Sequence, residues 1–187
     1  MLKKCVVFFS LGLVSCTTPP EPTPVGMVEN RGVTGFASDQ VLRVKLNFSL
    51  SSETWDFSAI ELTVYKGRVL MTGIVPNEQT RTEAVRLAKG VSGVKDVIDG
   101  MNIQGGDGLS EYTRDAWMTA KLKTNLYADQ EIDAPAYLVR TFDKVIYVFG
   151  TAETKEESRR VIELAYDITG VKKVVNLIEV KGVPQKR

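Results

Sequence analysis

The chain has 187 residues, of which 43% are hydrophobic and 25% charged, and its formal net charge is +1. This composition is typical of a folded protein of one or two small domains. The near-neutral charge lacks the basic surface that nucleic-acid binding requires, so we expect no nucleic-acid partner. Histidine is absent from the sequence, which excludes catalytic triads and metal sites built on imidazole.

Residues 1–15 are typical of an export signal. Lys3 and Lys4 form a basic start, and the apolar run that follows is too short for a permanent membrane-spanning helix. The sequence Leu-Val-Ser-Cys at 13–16 resembles the bacterial lipobox, in which the cysteine is lipidated and becomes the first residue of the mature protein. An ordinary cleaved leader with an incidental cysteine is the alternative. We predict a covalent lipid on Cys16 and no other cofactor.

A proline-rich spacer follows, and we predict that it extends from Cys16 to residue 36. Four of the seven prolines lie between Thr17 and Gly26, a composition that favours an extended chain of about 3 Å per residue. In lipoproteins of the enterobacterial type, an aspartate after the cysteine signals retention in the inner membrane, and this chain has Thr17 there. By that resemblance, the protein is expected at the outer membrane, lipid-anchored and facing the periplasm.

The rest of the chain contains an internal repeat. Residues 38–104 and 110–181 align at a shift of 77 positions, or of 76 over the first helix. The agreement includes two glycines, a helical stripe and a strand pattern, which chance rarely produces together. Each repeat has only about 70 residues and a marginal core of its own, so we expect the two repeats to pack against each other.

In the first repeat, the pattern predicts the order α-β-β-α-β. Ser38 and Asn77 are suited to cap the two helices, and Lys66-Gly67 is suited to a tight hairpin turn. The predicted helices and strands are, in order, 38–47, 60–65, 68–75, 77–89 and 94–103.

The second repeat has the same predicted order, after a glycine-rich linker at 105–108. Thr154 and Glu157 form the pattern of a capping box, and Asp143-Lys144 takes the place of the hairpin turn. The predicted elements are 110–127, 136–141, 145–151, a helix from 154, and 171–181.

Helix 110–127 separates two kinds of side chain. Its inward stripe has a spacing of four residues: Met118, Leu122 and Leu126. Trp117 lies about 100° round the helix from that stripe, beside Arg114 and Lys121, and the first repeat has Val41 in its place. A tryptophan among cations is a candidate for contact with a membrane surface. The alternative is that Trp117 caps the core and the cations are solvated.

Strands that end in glycine at 69–73 and 146–150, and Gly-Val-x-x-Val segments at 93–97 and 170–174, resemble the BON domain of bacterial periplasmic proteins. The resemblance implies an α+β fold, an α/β sandwich of two tandem modules. Each module is expected to hold a small mixed three-stranded sheet covered by two helices. The expected module bounds are 37–104 and 109–182, followed by a tail at 183–187.

With a lipobox and a spacer, this order resembles outer-membrane lipoproteins of the DolP family. The OsmY family has two such modules but no lipid anchor. In the DolP family, the first helix of the second module docks on anionic lipid through a tryptophan in an Asp-x-Trp-x-Thr-x-Lys segment. The same pattern occupies 115–121 in this chain.

The resemblance therefore implies a phospholipid-binding site on helix 110–127. Its expected residues are Arg114, Trp117, Met118, Ala120, Lys121, Lys123 and Thr124. The implied ligand is an anionic phospholipid such as phosphatidylglycerol or cardiolipin, and the implied role is support of envelope integrity. A tethered module that docks on an envelope or cell-wall protein through the same face is the alternative.

We predict neither a catalytic nor a metal site, and therefore no enzyme. The remaining candidates are carboxylates of one loop, without spacing for a metal or for paired acid–base chemistry: Asp129, Glu131 and Asp133. Gly73 and Gly150 are expected to be structural, because a Cβ in either strand would clash with neighbouring backbone or force a bulge. Whether Trp55 packs on the other module or is exposed remains open.

Overall fold

The computed structural model describes residues 26–51, 55–103 and 109–183. Side chains are described from residue 35 onward within those ranges, apart from the first two residues of the second module's helix. The predictions of a leader, a lipidated cysteine, a glycine linker and a tail beyond residue 183 concern residues outside these ranges.

Each half of the chain folds in the predicted order α-β-β-α-β. The first module consists of α1 (Gly26–Ser49), β1 (Ile60–Tyr65), β2 (Arg68–Val75), α2 (Glu78–Gly90) and β3 (Asp96–Ile103). The second consists of α3 (Leu109–Ala128), a short 3₁₀ helix (Ala134–Ala136), β4 (Tyr137–Phe142), β5 (Val145–Ala152), α4 (Lys155–Tyr166) and β6 (Lys173–Val180).

The sheet of each module is mixed. β2 is central, antiparallel to β1 and parallel to β3, and β5 has the same relation to β4 and β6. The hairpin gives the antiparallel pair, and the second helix of the module is the crossover that a parallel pair needs. The predicted fold class, two tandem α+β modules, is confirmed.

Side-chain caps set the start of the second helix in each module. The Asn77 carboxamide accepts a backbone hydrogen bond at 2.8 Å, and Thr154 Oγ1 accepts one from Glu157 at 3.1 Å. The Glu157 carboxylate accepts from the backbone N–H groups of Glu153 (2.8 Å) and Asp133 (3.1 Å), rather than from Thr154 as in a capping box. Glu157 thereby ties the loop before β4 to the start of α4.

The first helix begins earlier than predicted. α1 starts at Gly26, whereas we predicted a spacer as far as residue 36 and a helix capped by Ser38. Residues 26–36, which we assigned to the spacer, are therefore helical. α1 contains three glycines of low helix propensity and contacts the 3₁₀ helix Ala134–Ala136 of the second module. Tertiary contacts, rather than propensity, supply most of the stability of a helix in a protein.

Each module has a hydrophobic core between its sheet and its helices. Met118, Leu122 and Leu126 are buried in the second core as predicted, and Leu42 and Leu46 are buried in the first. Trp55 is partly buried against the core of its own module, so it is not fully exposed.

Close contacts account for glycine at two strand positions. Gly73 pairs with Ile60 and has φ +125°, and a Cβ there would overlap the carbonyl group of Ala59. Gly150 pairs with Tyr137, and a Cβ there would overlap the tyrosine ring. The nearest obstacle is therefore backbone in the first module and a side chain in the second, where the carbonyl oxygen of Ala136 also lies 3.0 Å from the added Cβ.

The two sheets stack face to face. The faces turned away from the helices form a shared core of large apolar residues: Tyr65, Leu70, Leu138, Tyr147, Phe149 and Leu177. The ring centroids of Tyr65 and Phe149 lie 5.6 Å apart. Because the helices cover the other face of each sheet, the layers run helices, sheet, sheet, helices. The expectation that the modules pack together holds.

Polar contacts join the two modules at the rim of this shared core. Arg68 donates a hydrogen bond to the carbonyl oxygen of Leu177 at 2.8 Å. Lys66 Nζ lies 2.6 Å from Thr151 Oγ1 and 3.0 Å from a carboxylate oxygen of Glu179. The interface therefore combines apolar packing with directional polar contacts, which fix the orientation of one module on the other.

Candidate functional site

α3 is held in one rotational position on its module by polar contacts as well as by apolar burial. The buried carboxylate of Asp115 accepts hydrogen bonds from the backbone N–H groups of Asp143 (2.7 Å) and Lys144 (2.9 Å), at the turn between β4 and β5. One helical turn further on, the hydroxyl oxygens of Thr119 and Thr141 lie 2.8 Å apart. These contacts determine which residues of α3 face outward.

The outward side of α3 carries five of the seven residues predicted to contact phospholipid. Trp117 is 50% exposed, and Arg114, Ala120, Lys121 and Thr124 are also exposed. At 3.6 residues per turn, the other four lie within about 60° of Trp117 around the helix. We call these five residues the Trp117 face.

The other two predicted contact residues lie elsewhere. Met118 is fully buried in the core of the second module, so its predicted lipid contact is wrong. Lys123 is half-buried and lies about 120° round the helix from Trp117. Burial, and then the nearby guanidinium of Arg140, lower the pKa of the Lys123 ammonium. Lys123 is therefore not part of the Trp117 face.

The two cations of the Trp117 face are available to an anion. Across the described part of the chain, Arg114 and Lys121 form no ion pair with a carboxylate. The Thr124 hydroxyl donates to the carbonyl oxygen of Ala120 at 2.9 Å, so its proton is engaged within the helix. The face thus presents an indole flanked by two positive charges.

Sequence reasoning missed the role of Asp115, although the repeat contains the signal. Asp39, at the shift of 76, is also buried, and its carboxylate accepts from the backbone N–H groups of Lys66 (2.7 Å) and Gly67 (3.0 Å). An aspartate shared by both first helices thus binds the hairpin turn of its own module. The sequence analysis also did not single out Tyr112 and Tyr127, which are exposed aromatic residues towards the two ends of α3.

The loop carboxylates considered for acid–base chemistry have structural partners. Arg160 lies 2.6 Å from Asp129 and 3.1 Å from Glu131, and its hydrogen bond lowers the pKa of Asp129. Among the residues that the structure describes, no group of three or more histidine, cysteine, aspartate or glutamate side chains is placed to hold a metal ion. Within the same ranges, no helix is both long enough and apolar enough to cross a membrane.

Comparison with known proteins identifies relatives that are similar in sequence. Outer membrane lipoprotein DolP of Haemophilus influenzae is 30% identical over 115 residues, which are 62% of this chain and 59% of that protein. The chain therefore spans less than two thirds of that relative. Osmotically-inducible protein Y of Escherichia coli is 28% identical, with 80% of this chain and 76% of that protein covered. The 21 kDa hemolysin of Actinobacillus pleuropneumoniae is 27% identical over 81% of this chain and 78% of its own length.

The family assignment rests on a match in each half of the chain. The profile of the BON domain family matches residues 38–105 and again residues 114–182. These two matches contain every strand of both sheets and most of the helices. The chain therefore belongs to the BON domain family, as a DolP- and OsmY-like protein with two BON domains.

Proposed function

We propose that this chain is a non-enzymatic, envelope-associated protein that binds anionic phospholipid through the Trp117 face. Its first helix is joined through the spacer to a lipidated Cys16, which anchors it in the periplasmic face of the outer membrane, where it supports envelope integrity. The name of the DolP relative, an outer membrane lipoprotein, supports this location.

One observation carries the proposal: a half-exposed tryptophan between two cations that form no ion pair with any described carboxylate, on a helix fixed by Asp115. An indole is suited to the membrane interface, because its ring is apolar and its N–H can meet the headgroups. Arg114 and Lys121 supply the attraction to anionic lipid. The corresponding face of the first module has Val41 in place of Trp117 and Ser38 in place of Arg114.

The expected affinity of the face alone is low. Each cation near an anionic surface contributes about 1 kcal/mol, and salt weakens that attraction. Two such charges and one indole give weak, reversible docking. A covalent lipid on Cys16 makes that docking effective, because the tether raises the local concentration of the face at the membrane. Phosphatidylglycerol and cardiolipin, which carry the required negative charge, are the proposed ligands.

The test is binding of residues 26–187, which hold every described helix and strand but not Cys16, to lipid vesicles. We expect binding to phosphatidylglycerol vesicles and much less to phosphatidylcholine vesicles. Trp117→Ala should reduce the binding, whereas Tyr166→Ala, at an exposed aromatic residue on α4, should not. Equal binding to both lipids, or unchanged binding of Trp117→Ala, contradicts the proposal and favours the alternative of protein docking through the same face.

A further inference from the structure

A second apolar surface lies on α1. Val41, Val44 and Phe48 are 56%, 68% and 84% exposed, and they follow each other at spacings of three and four residues. This spacing aligns them in one stripe along the helix. The inward residues Leu42 and Leu46 are buried on the other side of α1. We call the three exposed residues the α1 stripe.

The α1 stripe is the counterpart of the Trp117 face. At the shift of 76, Val41, Val44 and Phe48 correspond to Trp117, Ala120 and Thr124, and Lys45 corresponds to Lys121. Both helices are held in the same rotation, since Asp39 and Asp115 make equivalent bonds to their hairpin turns. The two modules therefore present the same side of their first helix, with different apolar residues on it.

The charges beside the stripe favour an anionic occupant. Between residues 35 and 51 the charged residues are Asp39, Arg43 and Lys45. Asp39 is buried and its carboxylate is bound to the hairpin turn, whereas Arg43 and Lys45 are exposed. A second copy of the chain would bring these like charges together, so a self-association through α1 is disfavoured.

The position of α1 in the chain also favours a lipid surface. α1 begins at Gly26, ten residues after Cys16, the proposed site of lipidation. A spacer of that length reaches about 30 Å at most. Along the chain, α1 is therefore the described element nearest to the proposed lipid anchor.

The stacking of the sheets places the two faces on opposite sides of the molecule. α1 covers the outer face of one sheet and α3 the outer face of the other, with the shared core between the sheets. Both faces thus point away from that core, in opposing directions. A single flat membrane meets one of them at a time.

We propose that the α1 stripe is a second contact face for anionic lipid, which makes the molecule bivalent for membrane surfaces. The inference takes its ligand class from the proposed function of the Trp117 face. Without its anchor, a molecule with two lipid-binding faces can join two vesicles. A molecule with a single lipid-binding face can coat vesicles but cannot join them.

The experiment measures binding and clustering of phosphatidylglycerol vesicles by residues 26–187. Binding is followed by co-sedimentation and clustering by turbidity, and analytical ultracentrifugation checks that the protein alone is monomeric. The wild-type chain should bind and cluster. Val44→Ser with Phe48→Ser should abolish clustering and weaken binding by about twofold, because one of two faces that bind one at a time is lost. Trp117→Ala should also abolish clustering but retain binding through α1, and Tyr166→Ser should behave as wild type.

The outcomes separate this inference from the proposed function. If the α1 variant clusters vesicles as the wild type does, the inference is wrong, and the stripe is left for a protein partner. If Trp117→Ala alone removes all binding, the inference is also wrong while the proposed function stands. If the α1 variant alone removes all binding, the proposed function of the Trp117 face is wrong. Because all substituted residues are exposed, unchanged melting temperatures are expected for every variant.

Discussion

The carboxylate of Asp115 accepts a hydrogen bond from the backbone N–H of Lys144 at 2.9 Å, and this contact joins α3 to the turn between β4 and β5. Its second oxygen accepts from Asp143 at 2.7 Å, and Asp39 binds the turn of the first module in the same way. A buried charge is satisfied here by two backbone donors, which cannot move independently of the hairpin. The helix and the hairpin of each module therefore form one unit.

Asp115→Asn should destabilise the second module by about 1–3 kcal/mol, because the amide nitrogen cannot accept and one turn N–H loses its partner. Thermal unfolding followed by circular dichroism measures the loss. Asp39→Asn is the matched substitution in the first module and should cost a similar amount. A melting temperature unchanged by Asp115→Asn would show that the turn does not need its acceptor.

The hairpin turns themselves differ in strain. Lys144 has φ +62°, a left-handed conformation that favours glycine, and the first module has Gly67 at this position with φ +81°. Lys144→Gly should therefore stabilise the second module by about 0.5–1 kcal/mol, after allowance for the greater freedom of glycine in the unfolded chain. Denaturant unfolding measures the gain. Gly67→Ala is the reverse control and should destabilise the first module, since its Cβ would also meet the carbonyl oxygen of Gly93 at 3.0 Å.

The sequence predicts the bounds of the strands well, but it predicts the start and the exposed face of α1 less well. The predicted bounds 60–65 and 68–75 match β1 and β2, because alternation and the turn residues act locally. α1 starts at Gly26 and contacts a distant 3₁₀ helix, and no local pattern records such a tertiary contact. α1 carries two apolar stripes, one with Leu42 and one with Val41. Periodicity alone does not show which of the two stripes is buried in the core.

The sequence predicts which face of α3 is exposed, but not the surroundings of each candidate residue. Trp117 and Lys121 are exposed as their position on the helix predicts. Met118 is adjacent in sequence but turned inward by about 100°, as the helical period predicts, so the lipid contact implied by the resemblance does not apply to it. The role of Asp115 required knowledge of where the hairpin turn lies, which is a tertiary contact.

Glycine-to-alanine substitutions should distinguish the two strand glycines. Gly73→Ala combines a left-handed φ with overlap of backbone, which cannot move aside, and should cost more than about 3 kcal/mol. Gly150→Ala meets the Tyr137 ring, a side chain buried in the core rather than backbone, and should cost about 1–3 kcal/mol. Melting temperatures of the two variants measure the difference. Larger residues at Gly150, such as cysteine, should remove function through instability, and lost lipid binding with an unchanged melting temperature would contradict this.

Gly100→Val should loosen the packing of one module on the other. A Cβ at Gly100 would overlap the hydroxyl of Tyr147, which is buried in the core shared by the two sheets. We expect the single unfolding transition of a coupled pair to separate into two, seen by calorimetry. Ser92→Val, at an exposed position of the first module, is the control and should leave one transition. A single sharp transition in Gly100→Val would mean that the sheets tolerate the added bulk.

Acid should weaken the bridge between the modules at Asp143. The Asp143 carboxylate accepts hydrogen bonds from Lys172 (2.8 Å) and from Asn102 of the first module (3.0 Å), and Lys172 foremost lowers its pKa. A lowered folded pKa stabilises the protein above the ordinary aspartate pKa of about 3.9, and that stabilisation is lost as the pH falls through the folded value. Its size is below about 1 kcal/mol, because Lys172 is largely exposed.

Asp143→Asn tests this directly, since asparagine tolerates the left-handed φ of +47° found there. At neutral pH the variant should be less stable than the wild type by less than about 1 kcal/mol. The free energies of unfolding of the two proteins should converge as the solution is acidified, because the wild-type carboxylate then becomes neutral as well. Denaturant unfolding across a pH series measures both. A constant difference at all pH values would mean that the charge of Asp143 contributes nothing, and that only its hydrogen bond to Asn102 joins the modules at this point.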